Sequence, residues 1–509
     1  MDSFTTWLLV GVIVYWLFCI LVGVFSYRKG SIDPAEYFLA GRSLGPIILG
    51  LSMLATAQSA WLMLGHQGQA AAVGLAYVAN YSHVVFMAMV ALFFFGQQWL
   101  FGKRFGFMTP GEMFGAYYGD LTRILMVILG VLYVIPYSAM QLIGGGTVFE
   151  VLTGGAVNFT LGTLLMAAVV VIYVFLGGLR AAAITDTFQG VLLVLGIFIL
   201  AGVVLANVPG GFAGILQGIQ ELPESWRLLP GENGAWGWPF VLTYAIATVG
   251  IYTSPVYTMW AFSARSPRIF RWQLLVIMSM IAGFYYFILS PIIGGGGRIL
   301  FGALERTDAL TPMIMAELMP TGLALLTAIG IFAAMNSTAD AYLASISSLL
   351  SRDVYKQYIN KDATPKQQIH FGRFMVVFVV VIGLFFAMTT RDVIALIGGL
   401  ATAFGLQTVP ALLGMLYWRR LTPAGVNTGL VVGMITVFLT YQVWPYPLGI
   451  HSAAWALAAN LLVAYIVSLF TKPVPAEKQQ QFRAVLQEGQ KVYQEREAKG
   501  LNKLRVFAK

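Results

Sequence analysis

Residues 44–74 read LGPIILGLSMLATAQSAWLMLGHQGQAAAVG, a run without a single Asp, Glu, Lys or Arg. About 20 predominantly apolar residues suffice to cross a hydrocarbon core of about 30 Å as a helix. A helix suits that environment because it pairs its backbone N–H and C=O groups within the segment, where no water can do so. Gly65, Gly68 and Gly74 punctuate the run, and such punctuation predicts a discontinuous helix.

Working outward, twelve more apolar stretches bring the count to thirteen: about 5–27, 44–74, 75–102, 122–152, 158–177, 185–207, 238–263, 273–296, 321–350, 371–390, 391–418, 424–442 and 452–471. The expected fold is an all-α integral membrane protein with about 13 transmembrane helices. Only 10% of the 509 residues are charged and 59% are hydrophobic, with a mean hydropathy of +0.79, against roughly a quarter charged in a globular domain. Cys19 is the single cysteine, which excludes an intramolecular disulfide framework and a cysteine-based zinc site. The first stretch is followed by Arg28 and Lys29 without a small-residue cleavage pattern, so it is expected to be retained as a helix.

Thirteen crossings force the loops to alternate sides, and basic residues gather on the cytoplasmic one. With the N-terminus outside, 26 of the 30 Lys and Arg fall on that side, leaving Arg227, Arg298, Arg306 and Arg391 outside. The net charge of +9 therefore reflects topology in a lipid bilayer, and nucleic acid is excluded as a partner. The expected location is the plasma (cell inner) membrane, multi-pass, with the C-terminus cytoplasmic. The tail at 472–509 sets Phe482, Val485, Leu486, Val492 and Tyr493 among charges. It reads as a solvated or membrane-surface extension, too short for a catalytic or signalling module.

Four strings carry a family resemblance: YFLAGR at 37–42, TPGEMFGAYYG at 109–119, GGLRAAAITDTFQG at 177–190 and AAMNSTADAYLASISSLLSRDVYK at 333–356. In this order they resemble the signatures of the sodium:solute symporter family. The resemblance implies a LeuT-type fold, a five-plus-five inverted repeat with one extra N-terminal and two extra C-terminal helices. On this chain that gives an N-terminal helix and loop at 1–43, repeats at 44–207 and 238–418, two further helices at 419–471 and the tail at 472–509. Gly250 and Pro255 interrupt the leading helix of the second repeat as the glycines do that of the first, and such paired interruptions point to a binding site at the midplane.

The implied activity is sodium-coupled symport of a small organic solute by alternating access, with Na+ as the coupling ion. Ala334, Ser337 and Thr338 stand at i, i+3 and i+4, so one carbonyl and two hydroxyls share a helix face. Uncharged oxygens can hold a hard monovalent cation where water is excluded. Ala55 and Gln58 match the family positions that offer main-chain carbonyls, which completes an expected five-oxygen sodium site. Asp340, one turn beyond Ser337, and Asp186 in the ITDTFQG string are expected to form a second cation site, a proton shuttle or the ion's exit path, since intramembrane carboxylates are costly without a function.

The solute is expected beside the interruptions, lined by Ser59, Trp61, Tyr81, His83, Gln141, Tyr252, Thr253, Ser254 and Gln407. This lining holds no fixed charge, and a carboxylate could be held by free amides at the positive end of the half-helix after Ser59. SAWLMLG at 59–65 resembles the proline-permease branch of the family, whose members carry a Trp at the position of Trp61. Ala57 departs from it, standing where that branch places an acid important for sodium. Ala57, Leu62 and Tyr81 likewise depart from the sugar branch. An amino acid or monocarboxylate is favoured; sugar or polyol uptake, an uncoupled carrier or a solute sensor are the alternatives. No HExxH, paired metal carboxylates or Ser/His/Asp arrangement suggests an enzyme. His451 reads as a bland loop-edge residue, and Gly294–Gly297 as a flexible outer connection.

Overall fold

The computed structural model describes residues 3–30, 33–79, 89–232, 234, 236–270, 281–390 and 393–498. The chain opens with α1 (Ser3–Gly30). It continues through α2 (Pro46–Ala57) and α3 (Trp61–Val73), two halves of one span bent by 53°. Next come α4 (Asp120–Leu152), α5 (Phe159–Leu179) and α6 (Ala181–Asn207). A second broken span, α7 (Trp238–Thr253) and α8 (Pro255–Ser263), bends by 45°. The remainder comprises α9 (Ser290–Phe301), α10 (Thr321–Ile359), α11 (Pro365–Thr389), α12 (Ile394–Leu416), α13 (Pro423–Val443), α14 (Ser452–Phe470) and α15 (Ala476–Ala498). Among the described residues nine helices are long and apolar enough to cross a membrane, or eleven spans with each bent pair taken as one. The expected stretches at 75–102 and 273–296 run through residues 80–88 and 271–280, which lie outside the described residues.

Helix ends are set by local chemistry. Asn158 accepts from the Leu161 amide at the start of α5, and Thr422 from the Gly425 amide at the start of α13. Thr364 and Gln367 form a reciprocal capping box on α11. Gly178, next to the last residue of α5, makes the kink before α6 at φ 56° and ψ −157°, a backbone region closed to residues with a Cβ.

Helices packed within a bilayer gain little from the hydrophobic effect and rely on close approach at small residues. Gly425, Gly429 and Gly433 recur every four residues on α13, against Asn460, Ala464 and Ser468 of α14. Gly330 of α10 lies so near α6 that a Cβ would meet the Leu192 carbonyl oxygen at 2.7 Å. Gly294–Gly297 correct the reading as a flexible connection. They are buried inside α9, where Cβ atoms would collide with Ala70, Val204 and Leu310. A glycine run reads as a hinge from sequence, yet here it lets α9 pack against several neighbours. His451 is likewise more than a loop residue: it is buried, its Nδ1 accepts from the Ala453 amide at the head of α14, and burial pulls its imidazole down to about 3.

The start of α2 and the end of α8 are joined by two backbone hydrogen bonds, Leu44 N to Ser263 O at 3.2 Å and Arg265 N to Leu44 O at 2.9 Å. The tail, expected as a solvated or membrane-surface extension, is exposed over much of its described length but anchored on one face. Phe482 and Val485 of α15 are buried against the body of the protein, because its apolar residues recur at helical spacing and find an aromatic pocket.

Candidate sodium and solute site

The first break falls at Gln58 and Ser59, ahead of the glycines that suggested it. Gly65 and Gly68 lie inside α3 as points of close approach to Ile394 and Thr307, and Gly74 ends it at φ 89°. A helix end leaves four carbonyls without intrahelical partners. At the end of α2 the Leu54 carbonyl still receives the Gln58 amide at 2.9 Å, and the next two carbonyls turn to α10. The Ser337 hydroxyl lies 3.2 Å from the Ala55 oxygen and 3.0 Å from the Ala334 oxygen. The Thr338 hydroxyl lies 3.4, 3.2 and 3.0 Å from the carbonyls of Ala55, Thr56 and Ala334. All these residues are fully buried.

Ala55, Ala334, Ser337 and Thr338 are thus brought together. Gln58 turns its side chain elsewhere: its Oε1 accepts from the Tyr286 hydroxyl at 2.7 Å, while its Nε2 is buried without a hydrogen-bond partner. Thr56 joins the cluster although the sequence did not single it out; its position as a late residue of α2 is the signal that could have found it. The donor set is uncharged oxygen throughout, chemistry that suits sodium in a water-free site.

About one turn along α10 from Ser337, Asp340 and Asp186 share a buried polar cluster. Tyr173 of α5 reaches one Asp340 oxygen at 3.0 Å and the Asn336 carbonyl at 2.8 Å. The other Asp340 oxygen and both Asp186 oxygens are buried without hydrogen-bond partners. Gln189 and Asn336 both donate to the Tyr15 hydroxyl, at 2.6 and 3.3 Å. Neither acid has a salt bridge among the described residues. A buried carboxylate needs a cation, a proton or several donors.

At the head of α3 the amides expected to be free are occupied. Gln141 of α4 accepts from Ala60 N at 2.9 Å, and the Ser59 hydroxyl accepts from Trp61 N at 3.1 Å. Gly144 makes this possible, since a Cβ there would come within 2.9 Å of Ala60. Trp61 donates to the Tyr77 hydroxyl at 3.3 Å and lies edge-on to Tyr244. One turn before Gln141, Tyr137 is buried with its hydroxyl unpartnered and its ring stacked 4.4 Å from Tyr342 of α10.

The second break is made by Ser254 and Pro255, the latter opening α8 without an N–H to satisfy. The Ser254 hydroxyl is buried without a partner, and Tyr252 packs edge-on against Tyr257, whose hydroxyl donates to the Met53 carbonyl of α2 at 2.9 Å. Thr253 and Gln407 do not face this space. Thr253 donates to the Gly405 carbonyl and its own carbonyl receives the Thr408 hydroxyl, tying α7 to α12. Gln407 is held by Asn460 of α14 at 3.1 Å, with Gly433 packed against its Oε1. Polar side chains on a membrane helix bond whichever neighbour is near, and here that neighbour is a helix rather than the cavity. Tyr81 and His83 lie outside the described residues.

Two bent helices flanking a sealed polar midplane define an ion-coupled secondary transporter. The chain belongs to the sodium:solute symporter family, whose model matches residues 37–433. A sodium/proline symporter of Staphylococcus aureus is 27% identical over 487 residues, covering 90% of this chain and 92% of that one. Among solved structures, a substrate-bound outward-open Na+-coupled sialic acid symporter superposes with a TM-score of 0.78 at 18% identity, covering 92% of this chain and 99% of the other. A nucleobase-cation-symport-1 family transporter in a closed conformation with bromovinylhydantoin bound gives a TM-score of 0.58 at 15% identity, covering 89% and 99%. The protein is therefore a multi-pass membrane symporter of LeuT-type fold that couples Na+ to a small organic solute, and not an enzyme.

Proposed function

We propose that sodium binds between α2 and α10 on the carbonyls of Ala55, Thr56 and Ala334 and the hydroxyls of Ser337 and Thr338, with the Gln58 carbonyl as the remaining ligand. Sodium there favours the state that accepts an amino acid or monocarboxylate beside the two breaks. By linkage the solute raises sodium affinity by the same factor. Asp186 and Asp340 form a second cation site on the release path, in which a bound cation or proton answers the unpaired carboxylate oxygens. The repeats are 44–207 and 238–418, and the protein sits in the plasma membrane with its N-terminus outside and C-terminus cytoplasmic, as the partition of basic residues requires.

The observation that carries this reading is the convergence of both α10 hydroxyls on the carbonyls that the first break leaves over. The amino acid or carboxylate reading draws on the unpartnered donors Gln58 Nε2, Tyr137 Oη and Ser254 Oγ, and on the relative named a sodium/proline symporter. Its carboxylate would have to displace Gln141 or Ser59 from the α3 amides, or use those other donors. Thermal-shift screening of purified protein with amino acids, monocarboxylates and sugars, each with and without sodium, tests it. Stabilisation by an amino acid or carboxylate that grows with sodium is expected. Sodium-dependent stabilisation by sugars alone would overturn the solute class. The assay of record for coupling is accumulation of the stabilising solute against its gradient in proteoliposomes.

A further inference from the structure

The cytoplasmic-tail helix α15 places Phe482 in a pocket of four aromatic rings. The centroid distances are 5.0 Å to Phe101, 4.7 Å to Phe105, 6.3 Å to Phe107 and 5.0 Å to Tyr117. Phe482 is only 4% exposed. Val485 is buried beside it, and one further turn along, Gly489 lies so close to Leu100 that a Cβ would meet its side chain at 2.6 Å.

The walls of this pocket belong to two different groups of helices. Phe101 and Phe105 lie on the helix Gly96–Phe105, which is bonded to the broken spans. Trp99 donates to the Ala264 carbonyl at 2.8 Å and Gln98 to the Thr258 hydroxyl at 3.2 Å. Arg42, just ahead of α2, donates to the Gly102 and Phe107 carbonyls at 2.6 and 2.8 Å. Tyr117 lies on the helix Pro110–Tyr118, which is bonded to the supporting helices. Thr109 donates to Asp353 of α10 at 2.6 Å, Arg352 pairs with Glu112 at 2.7 Å, and Tyr118 donates to the Ala411 carbonyl of α12 at 2.9 Å.

Alternating access in this architecture is largely the rocking of one group of helices against the other around a fixed site. A side chain seated in both groups at one end of the molecule must leave, or drag its partners, when that end opens. We propose that α15 is an intramolecular clamp: Phe482 bridges the broken-helix group and the supporting group and holds the two together at the end of the molecule that carries Ala264, itself only 2% exposed. The occupant of the aromatic pocket is this chain's own tail, and its release favours opening on that side.

The test reads the opening directly. In a Cys19→Ser background, Ala264→Cys puts one buried thiol at that end of the molecule, and its rate of modification by a membrane-permeant maleimide in proteoliposomes reports separation of the two groups there. Phe482→Ala is expected to raise that rate about 3- to 10-fold, and so is a chain ended after Lys472. A synthetic peptide of residues 476–498, added to the shortened protein, is expected to restore the slow rate, and the same peptide with Ala for Phe482 is not. Should the shortened chain fail to fold, Phe482→Ala in the full chain decides alone. Unchanged or slower labelling in a folded variant overturns the clamp, and so does equal rescue by both peptides. Because the readout is labelling, it stands or falls independently of the sodium ligands and the identity of the solute.

Discussion

The two broken spans solve one problem with different chemistry. At the first, side chains supply what the interrupted backbone lacks: Gln141 and Ser59 take the Ala60 and Trp61 amides, and Ser337 and Thr338 meet the Ala55 and Thr56 carbonyls. At the second, proline removes the need, because Pro255 has no amide to satisfy, and the flanking Thr253 is tied to α12. The first break consequently has its backbone answered by its neighbours, with Gln58 Nε2 left over, and faces the ion-binding helix. The second leaves the Ser254 hydroxyl unpartnered, a donor for something else.

The strongest way to break this comparison is at the glycine that sets the second span against α12. A Cβ on Gly250 would collide with the Thr402 carbonyl oxygen and meet the Leu406 amide nitrogen at 2.7 Å, both backbone atoms that cannot swing away. Gly250→Val is expected to cost about 4 kcal/mol or more, enough to lose the folded protein, read by size-exclusion profile and thermal unfolding. At Gly190 of α6 a Cβ would find its nearest neighbour at 3.5 Å. Gly190→Ala should therefore leave both profiles unchanged. A well-folded Gly250→Val would show that α7 and α12 are less closely fixed than their distances imply.

Second in size is the ion side of the first break. Thr338→Ala removes a hydroxyl that reaches three carbonyls. Losing one contact to a charged ligand costs about 1.5–3 kcal/mol, so the sodium concentration for half-maximal uptake is expected to rise about 10- to 100-fold. The unfolding temperature should fall only modestly, because the Ala55 and Ala334 carbonyls keep the Ser337 hydroxyl while the Thr56 carbonyl loses the Thr338 hydroxyl. Uptake with an unchanged sodium dependence would remove Thr338 from the site.

These residues also show how much of the site is legible in the amino-acid sequence. The membrane class follows from apolar run length, and Ser337 and Thr338 follow from their spacing on one helix face together with a family string. Thr56 escapes notice because a carbonyl has no side-chain signature; only the end of a helix makes it available. Gly65 and Gly68 mislead, since a glycine that loosens a helix and one that lets another helix approach are written with the same letter. Gln407 suggests a solute contact because its amide suits one, whereas its partner, Asn460, lies 53 positions later in sequence. The two residues that mark the break itself, Gln58 and Ser59, carry no helix-breaking signal; the amide that follows them, Ala60 N, is met by Gln141 from another helix.

Smaller still should be the effect of emptying the second break of its spare donor. Ser254→Ala deletes a hydroxyl that makes no hydrogen bond of ordinary geometry and at most a weak contact with Tyr133, so stability should change by no more than about 0.5 kcal/mol. If the hydroxyl serves the solute, the loss of about 1 kcal/mol raises the solute KM about 5-fold, while sodium binding measured without solute is unchanged. An unaltered KM would place the solute wholly at the first break and dissolve the division of labour between the two.

The last effect is pH-dependent and concerns the segment 307–311 that packs on the first span. Thr311 donates to the Met63 carbonyl at 2.7 Å, Gly68 packs on Thr307, and Asp308 accepts from the Ile394 amide at the head of α12 at 3.0 Å. Burial pushes the Asp308 carboxyl up to about 6, against the pull of the Ile394 amide and of Arg306. An unfolded aspartate titrates near about 3.9. Between these values the unfolded chain has released the proton while the folded protein keeps it, so this group's stabilisation is full below about pH 4 and lost as the pH rises through about 6. Asp308→Asn retains an acceptor for Ile394 but cannot titrate. Relative to that variant, the wild-type unfolding temperature is expected to fall by a few degrees between pH 4.5 and 6.5, about 2–4 °C for each kcal/mol in a chain of 150–250 residues and less in a longer one. Parallel profiles would mean that Asp308 does not titrate differently in the folded and unfolded chain and that the segment is held by Thr311 and Gly68.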